Sequence, residues 1–195
     1  FMVWGVAIGL VALALLVYGI SIYNHLILLC NRVENAFAQI EVQLKRRYDL
    51  IPNLIEVAKR YLSHEEQTLL KVVEARSAAK AALQKVDSSQ ESLCTLEQAE
   101  STLTHALQGL NITLEAYPDL KASQNMLSLT EELSTTENKI AFSRQAYNDS
   151  VTNFNTYKQS FPNVLISAMF ARLKDDRKTL EFEAQQLESV PKVQF

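Results

Sequence analysis

Glycine and proline are scarce in this sequence, with four of each among 195 residues. Average protein composition contains about 7% glycine and about 5% proline. Three of the glycines, Gly5, Gly9 and Gly19, lie in the first 23 residues, which leaves Gly109 for the rest of the chain. Sheet proteins need glycine-rich turns, and phosphate-binding loops need clustered glycines. The sequence therefore excludes both and predicts an all-α fold.

Groups of metal-ligating or nucleophilic residues are also missing. The sequence has two cysteines and three histidines, which are far apart: Cys30, Cys94, His25, His64 and His105. Such spacing excludes a disulfide-stapled fold, and it offers no metal site, no cofactor site and no Ser–His–Asp or Cys–His arrangement. A glutamate-rich stretch around Glu131 and Glu137 lacks the Glu-x-x-His motif of di-metal helical bundles. We therefore predict no catalytic residue, no metal ligand and no cofactor.

Charge is absent from the beginning of the chain, where the first Asp, Glu, Lys or Arg is Arg32. Residues 1–23 are almost entirely apolar, and about 20 such residues span a bilayer as a helix. Trp4, Tyr18 and Tyr23 stand near the two ends, where amphipathic rings favour the headgroup layer. A cleaved signal peptide would have a shorter apolar region and a basic start. We therefore expect residues 1–23 to form a retained transmembrane anchor.

After the anchor, apolar residues recur at steps of three and four, as on one face of a helix. The first stripe continues from Leu26 to Leu62 and includes Pro52, which predicts a kink or a full break at Asp49–Pro52. A capping box at Ser63 and Glu66 predicts the start of the second helix.

Two further helices follow the polar turn at residues 87–92, and they end before Pro118 and Pro162. Single apolar stripes are buried by packing helix on helix, as in coiled coils. The predicted architecture is an elongated up-and-down bundle of about four long helices, the first continuous with the transmembrane helix. The expected organisation is an anchor (1–23), a helical bundle (24–161), and a short amphipathic helix with a C-terminal tail (162–195).

Charge is unevenly distributed in the predicted bundle. Residues 87–120 contain six acids and no Lys or Arg, whereas the first soluble helix has six basic residues and four acids. One interpretation is that the third helix lies against the first within the chain. The other is that an acidic face meets a basic face on a second copy and steers association. The residues of these two faces are Lys45, Arg46, Arg47, Glu91, Glu97 and Glu100.

Two other features point to partners. Gly5 and Gly9 have the Gly-x-x-x-Gly spacing that lets two membrane helices approach closely, which favours a homo-oligomer. Nucleic-acid binding is not expected, because the net charge is −3 and the basic cluster at residues 45–47 is isolated.

The stretch from Val164 to Lys178 has the pattern of an amphipathic helix at a membrane surface. Its apolar residues share one face of a helix, and basic residues follow: Leu165, Ile166, Met169, Phe170 and Leu173, with Arg172, Lys174, Arg177 and Lys178. We estimate that the fourth helix ends near the bilayer, so this face would contact membrane lipids. The alternative is that these side chains cap the base of the bundle.

Many separated blocks of the sequence, in order along nearly the whole chain, resemble the LemA family. These blocks are Tyr23-Asn24, residues 31–40 (NRVENAFAQI), residues 42–54 (VQLKRRYDLIPNL), His64-Glu65, Ala75-Arg76, residues 116–122 (AYPDLKA), residues 136–141 (TENKIA), Arg144, Tyr147-Asn148, Phe161-Pro162 and residues 191–195 (PKVQF). The sequence departs from the family at Met169–Leu173, where a glycine-containing stretch is usual.

The resemblance implies a bacterial single-pass membrane protein whose helical domain lies outside the cytoplasm. Some relatives act in membrane organelle biogenesis in magnetic bacteria, and no enzymatic activity is established for the family. We therefore expect a non-enzymatic scaffold or assembly protein of the cell envelope, in the inner membrane, that organises or remodels the membrane. Its partners would be membrane lipids, other copies and other envelope proteins, without a small-molecule substrate.

Two alternatives remain at this point. A pilin-like subunit would also retain an apolar N-terminal helix, but it would need an acid at position five, where this chain has Gly5. A membrane-tethered hydrolase or metal-dependent enzyme would need the ligand clusters that are absent. The single Arg32 after the span favours, by the positive-inside rule, the opposite orientation to the one that the resemblance implies.

Overall fold

The computed structural model describes residues 2–62, 65–87 and 89–180. In these ranges all regular structure is helical and no strand occurs, which confirms the all-α fold class. The helices are α1 (Met2–Lys59), α2 (Glu66–Gln84), α3 (Gln90–Glu115), α4 (Pro118–Lys121), α5 (Gln124–Gln159), α6 (Asn163–Ala168) and α7 (Ala171–Lys174). The first helix includes the apolar N-terminal stretch, as the sequence predicts.

Helix α1 runs through Pro52 and ends at Lys59. The alternative of a full break at Asp49–Pro52 is therefore wrong, and the kink stays a prediction. A proline at this position has no N–H to donate to the carbonyl four residues earlier, which is the carbonyl of Tyr48. Arg76 of α2 supplies the missing donor, because its Nε donates to the Tyr48 carbonyl oxygen at 2.6 Å. A side chain of a second helix thus satisfies the backbone where α1 contains proline.

The start of α2 differs from the sequence-based expectation. The helix begins at Glu66 with Glu65 as its N-cap, and Glu65 makes no capping hydrogen bond through its side chain. The predicted capping residue, Ser63, lies outside the described residues.

The turn before α3 is closed by hydrogen bonds among short polar side chains. Ser89 is the N-cap of α3, and its hydroxyl accepts from the backbone N–H of Ser92 at 3.3 Å. The carboxylate of Asp87 accepts from the Ser89 N–H at 2.8 Å and from the Ser92 hydroxyl at 2.7 Å. Hydrogen bonding by the side chains of Ser89 and Ser92, together with the Ser89 N–H, lowers the pKa of Asp87 to about 2. The polar turn expected here therefore ends α2 and starts α3.

The chain forms two compact units, and α1 and α5 contribute to both. One unit contains Ile40–Phe142 together with Leu180. Its buried side chains lie on one face of each helix, as periodicity predicts, and the fully buried ones include Ile40, Leu44, Ile51, Leu96, Leu103, Leu110, Leu120 and Met126. Burial of such aliphatic side chains contributes about 1.5–3 kcal/mol each.

The other unit contains the chain up to Gln39 together with Ser143–Thr179. Here the first part of α1 runs antiparallel to the end of α5, since His25 contacts Tyr157 and Phe37 contacts Tyr147, with ring centroids 4.4 and 5.7 Å apart. Its core contains Ile22, Leu26, Leu29, Cys30, Val33, Val151, Phe154 and Leu173.

The stretch from Val164 to Lys178 does not form the single amphipathic helix that the sequence suggests. It forms the two short helices α6 and α7, and Phe170 between them is extended, with φ −119° and ψ 118°. Side chains of α5 bind backbone carbonyls at the end of α7 and after it. Lys158 Nζ donates to the Lys174 carbonyl at 2.6 Å, and the Tyr147 hydroxyl donates to the Lys178 carbonyl at 2.9 Å. These bonds hold the segment against α5.

The role of Arg76 can be tested with a double-mutant cycle. We expect Arg76→Met to lower the free energy of unfolding by about 1–3 kcal/mol, because it leaves the Tyr48 carbonyl without a donor. In a Pro52→Ala background the loss will be smaller, since the new alanine N–H can donate to that carbonyl. The four proteins are compared by denaturant unfolding in mild detergent, with Lys71→Met as a control for loss of an exposed cation on α2. An equal loss in both backgrounds would contradict this role.

Candidate functional site

A buried ion pair joins α1 to α3 in the unit that contains residues 40–142. Arg47 is 4% exposed and Glu100 is 1% exposed, and Arg47 Nη1 lies 3.2 Å from Glu100 Oε2. Arg47 Nη2 donates to the Thr104 hydroxyl at 2.9 Å. The Tyr48 hydroxyl donates to the other oxygen of Glu100. Glu100 and Thr104 are one turn apart on α3 and therefore lie on the same face of that helix. Arg47 and Tyr48, which are adjacent in α1, both bind this face.

Burial dominates the electrostatics of this cluster. It raises the pKa of Glu100, against the opposing effects of the Arg47 charge and the hydrogen bond from Tyr48. Burial also raises the pKa of Tyr48, and the negative charge of Glu100 raises it further. Tyr48 therefore stays a neutral hydrogen-bond donor throughout the physiological range. The cluster holds a carboxylate, a guanidinium and two hydroxyls in mutual contact, away from solvent.

This arrangement is suited to fixing the register of helices rather than to reaction with a substrate. The side chains of Arg47 and Glu100 are 5% and 1% exposed, so a substrate has no access to them. Among their buried polar atoms, only Nε of Arg47 lacks a partner within the described part of the chain. In the same part, no group of three or more His, Cys, Asp or Glu residues is placed to hold a metal ion.

Two adjacent cavities lie between the end of α1 and the start of α2. The larger has a volume of about 520 Å³ and is lined by Lys59, Leu62, Glu66, Leu69, Leu70 and Val73. The smaller has about 260 Å³ and is lined by Ile51, Pro52, Ile55, Glu56, Lys59, Val73 and Arg76. Together they form an apolar groove with charged groups at its edge.

The predicted charge faces are only partly at the surface. Lys45, Arg46 and Glu91 are exposed, and Lys45 lies 3.7 Å from Glu41 on its own helix. Glu97 is half-buried. The assignment of Arg47 and Glu100 to faces that meet a second copy is wrong, because these two residues are buried against each other. At this pair the in-chain alternative, with the third helix against the first, describes the structure.

The predicted membrane-contact residues also separate into two groups. Leu165, Met169 and Phe170 are exposed and Ile166 is half-buried, whereas Leu173 is fully buried in the core of its unit. The assignment of Leu173 to an exposed face is therefore wrong, because the helix breaks at Phe170 and α7 turns Leu173 inward.

The basic residues of this stretch differ in their surroundings. Lys174 has an exposed side chain. Arg172 lies 3.2 Å from Glu34 of α1, and Arg177 Nη2 lies 3.3 Å from the buried thiol of Cys30. Lys158 of α5 lies 2.7 Å from Asp176 and lowers the pKa of that carboxyl group. These contacts hold α7 and the residues after it in place. Arg172 and Lys174 are both exposed, but Arg172 is paired with Glu34.

Sequence reasoning missed Arg76, Thr104 and Lys158. A signal existed for Arg76, because a proline inside a helical pattern frees a carbonyl that some donor must satisfy. The sequence does not say which donor reaches it. Thr104 and Lys158 bind groups that are 57 and 16 residues away in the chain, so no local pattern identifies them.

Tyr48→Phe tests the buried cluster through the pH dependence of stability. Loss of the hydroxyl should lower the free energy of unfolding by about 1–3 kcal/mol at neutral pH. The hydrogen bond from Tyr48 lowers the pKa of Glu100 in the folded state, so its removal raises that pKa further. When folding raises the pKa of a carboxyl group, the free energy of unfolding of the protein falls as pH rises above the pKa of that group in the unfolded chain, about 4.3 for Glu. The destabilisation will therefore be smaller at acidic pH than at pH 7.

The measurement is denaturant unfolding of the full chain in mild detergent at several pH values. Tyr61→Phe is the matched control, because Tyr61 is 47% exposed. A pH-independent loss for Tyr48→Phe, or an equal loss for Tyr61→Phe, would contradict the role of the Tyr48 hydroxyl.

Comparison with known proteins identifies relatives of this chain. The model of the LemA family matches residues 36–195, which is most of the sequence. A similar protein is Protein LemA of Metamycoplasma hominis, 30% identical over 131 residues. The alignment covers 67% of this chain and 57% of the relative, so the chain spans little more than half the length of that protein. With a family match over residues 36–195, the chain belongs to the LemA family.

Proposed function

We propose that this protein is a non-enzymatic, membrane-anchored scaffold or assembly protein of the bacterial cell envelope. In this proposal it crosses the inner membrane once, with its helical bundle outside the cytoplasm, and it oligomerises and organises the membrane around it. Its partners are membrane lipids, further copies of the chain and other envelope proteins. The orientation and the membrane follow from the resemblance to the LemA family.

The observation that carries the proposal is the exposed apolar part of α1. From Val3 to Ile20 the large apolar side chains are 52–80% exposed, although the same helix is well packed from Ile22 onward. Of the described helices, α1 is the one long and apolar enough to cross a membrane, with a mean hydropathy of 2.4 in its most apolar window. Large exposed apolar surfaces mark contact with lipid or protein. A bilayer is a medium in which this surface is stable.

The buried polar cluster supports a structural role. Arg47, Tyr48 and Glu100 bind one another with almost no exposure, so they stabilise the bundle and offer no reacting group to solvent. The groove between α1 and α2 is mainly apolar, and its charged residues do not form a nucleophile–base arrangement. These features favour a scaffold over a hydrolase or metal-dependent enzyme.

Contacts between copies are proposed in both parts of the molecule. A Cβ built at Gly5 or Gly9 meets nothing within 4 Å, so this side of the helix is open to a second helix. Lys45 and Arg46 on α1 and Glu91 on α3 are exposed and carry opposite charges. The expected result is an oligomer that is weakened by salt in its soluble part.

Mass measurement in mild detergent tests this function directly. We expect the full chain to be an oligomer, and we expect Gly9→Ile to reduce its mass because the added side chain separates the membrane helices. Ala7→Ile is the matched control, since Ala7 lies about 200° around the helix from each of the two glycines. A monomeric wild type would overturn the oligomer. An unchanged mass for Gly9→Ile, or an equal effect of Ala7→Ile, would exclude the glycine face as the contact.

Metal analysis tests the non-enzymatic part of the proposal. The described residues contain no cluster of three His, Cys, Asp or Glu residues placed as ligands. We therefore expect elemental analysis of the purified full chain to find no stoichiometric zinc, iron or manganese. The metal-dependent enzyme would be favoured if each chain held one metal ion and if a chelator removed that ion and lowered the thermal stability.

A further inference from the structure

Helix α6 and its flanking residues have an inverted distribution of polar and apolar side chains. The polar residues Asn163 and Ser167 are buried, at 7% and 2% exposure. Their hydrogen bonds are satisfied inside the chain, since the Asn163 amide donates to the Tyr157 carbonyl at 2.9 Å and the Ser167 hydroxyl to the Val164 carbonyl at 3.0 Å. A helix facing water shows the opposite pattern.

The outward side of this segment is apolar. Phe161 is 81% exposed, Leu165 59% and Met169 76%, and these residues follow one another at steps of four. Phe170 is 40% exposed beside them. A group of large apolar side chains of this kind is rare on a surface that faces water only. We call these four residues the α6 apolar face.

The α6 apolar face lies beside the end of the apolar part of α1. The ring of Phe170 contacts the ring of Tyr23, with centroids 4.5 Å apart. On the other side of the segment, Ile166 Cδ1 lies 3.8 Å from the position of a Cβ at Gly19. The dense run of exposed large apolar residues of α1 ends at Ile20, beyond which Leu28 and Val42 are exposed singly, and the first charged residue of α1 is Arg32. Segment 161–170 is therefore at the level where the apolar surface of α1 gives way to polar sequence.

We propose that the α6 apolar face inserts into the boundary between headgroups and acyl chains of the bilayer that α1 crosses. The inference rests on the proposed membrane anchor. The occupant is phospholipid, because Phe170 of this face contacts Tyr23 of α1 and the neighbouring Ile166 lies at Gly19, so the face adjoins the apolar surface of α1. The protein then contacts the membrane at two places, along α1 and beside it at α6.

The structure also defines the limits of this contact. Leu173 is buried and does not take part, and Arg172 is bound to Glu34 and Asn31 of α1. The backbone carbonyl of Lys174 accepts a hydrogen bond from Lys158. The side chain of Lys174 is exposed, so its ammonium group can contact lipid phosphate. The alternative was that this stretch only caps the base of the bundle. It applies to Leu173, which is buried, but Phe161, Leu165 and Met169 are too exposed to cap the bundle.

Tryptophan fluorescence in vesicles tests the contact on the full chain. The sequence contains a single tryptophan, Trp4, which reports the anchor itself. In a Trp4→Phe background, Leu165→Trp reports the α6 apolar face and Met169→Trp is a second reporter on that face. Phe142→Trp in the same background is the matched control, because Phe142 is a 75% exposed apolar residue of the other unit. Circular dichroism verifies that each variant is folded.

The vesicles contain phosphatidylcholine and phosphatidylglycerol whose acyl chains are brominated either near the headgroup or near the methyl end. We expect the tryptophans at positions 165 and 169 to lose most emission with bromine near the headgroup and less with bromine near the methyl end. The tryptophan at position 142 should keep its emission with both lipids.

The possible outcomes separate the inference from the anchor on which it rests. If Trp4 is quenched and both α6 reporters are not, the membrane contact of α6 is wrong and the anchor stands. Quenching at position 142 equal to that at position 165 would also overturn the contact, because it would show non-specific adsorption. If Trp4 is not quenched by either lipid, the proposed anchor fails.

Discussion

The buried ion pair between Arg47 and Glu100 is the constraint on which the packing of residues 40–142 depends. A charged group removed from water is costly unless an opposite charge and hydrogen bonds compensate it, and loss of one partner of such a pair costs about 3–5 kcal/mol. Arg47 and Glu100 compensate each other only when α1 and α3 lie in one register. Tyr48 adds a hydrogen bond to the same carboxylate. A shift of either helix by one turn would leave two buried charges unpaired.

Helix α2 contacts α1 beside this ion pair through a different interaction. Pro52 frees the carbonyl of Tyr48, and Arg76 of α2 donates to it. Tyr48 thus contacts α3 through its hydroxyl and α2 through its carbonyl, so three helices meet at one residue. The buried polar residues Arg47, Tyr48 and Glu100 therefore specify how the helices pack. The apolar residues around them would tolerate several registers, whereas the charges tolerate one.

The unit that contains the first part of α1 is organised differently. Its polar side chains Asn163 and Ser167 face inward and are satisfied by backbone carbonyls, while Leu165 and Met169 face outward. This inversion occurs where the apolar surface of α1 ends. In water such a surface would be unfavourable by roughly 25 cal/mol for each Å² of apolar area. The distribution of side chains is understandable if lipid rather than water surrounds this part of the molecule.

The sequence by itself determined the all-α fold, the long helices, the apolar stretch and the family. These follow from local properties, since periodicity, the scarcity of glycine and the position of Pro118 act within one or two helical turns. The tertiary structure decided that Arg47 and Glu100 face each other, that Arg76 completes the α1 backbone, and that Leu173 is buried after a break at Phe170. A 3.6-residue period tells which face of a helix is buried, but it does not tell which residue of a distant helix meets it. Arg47 and Glu100 are 53 positions apart, and only the packing of α1 against α3 brings their charges within 3.2 Å.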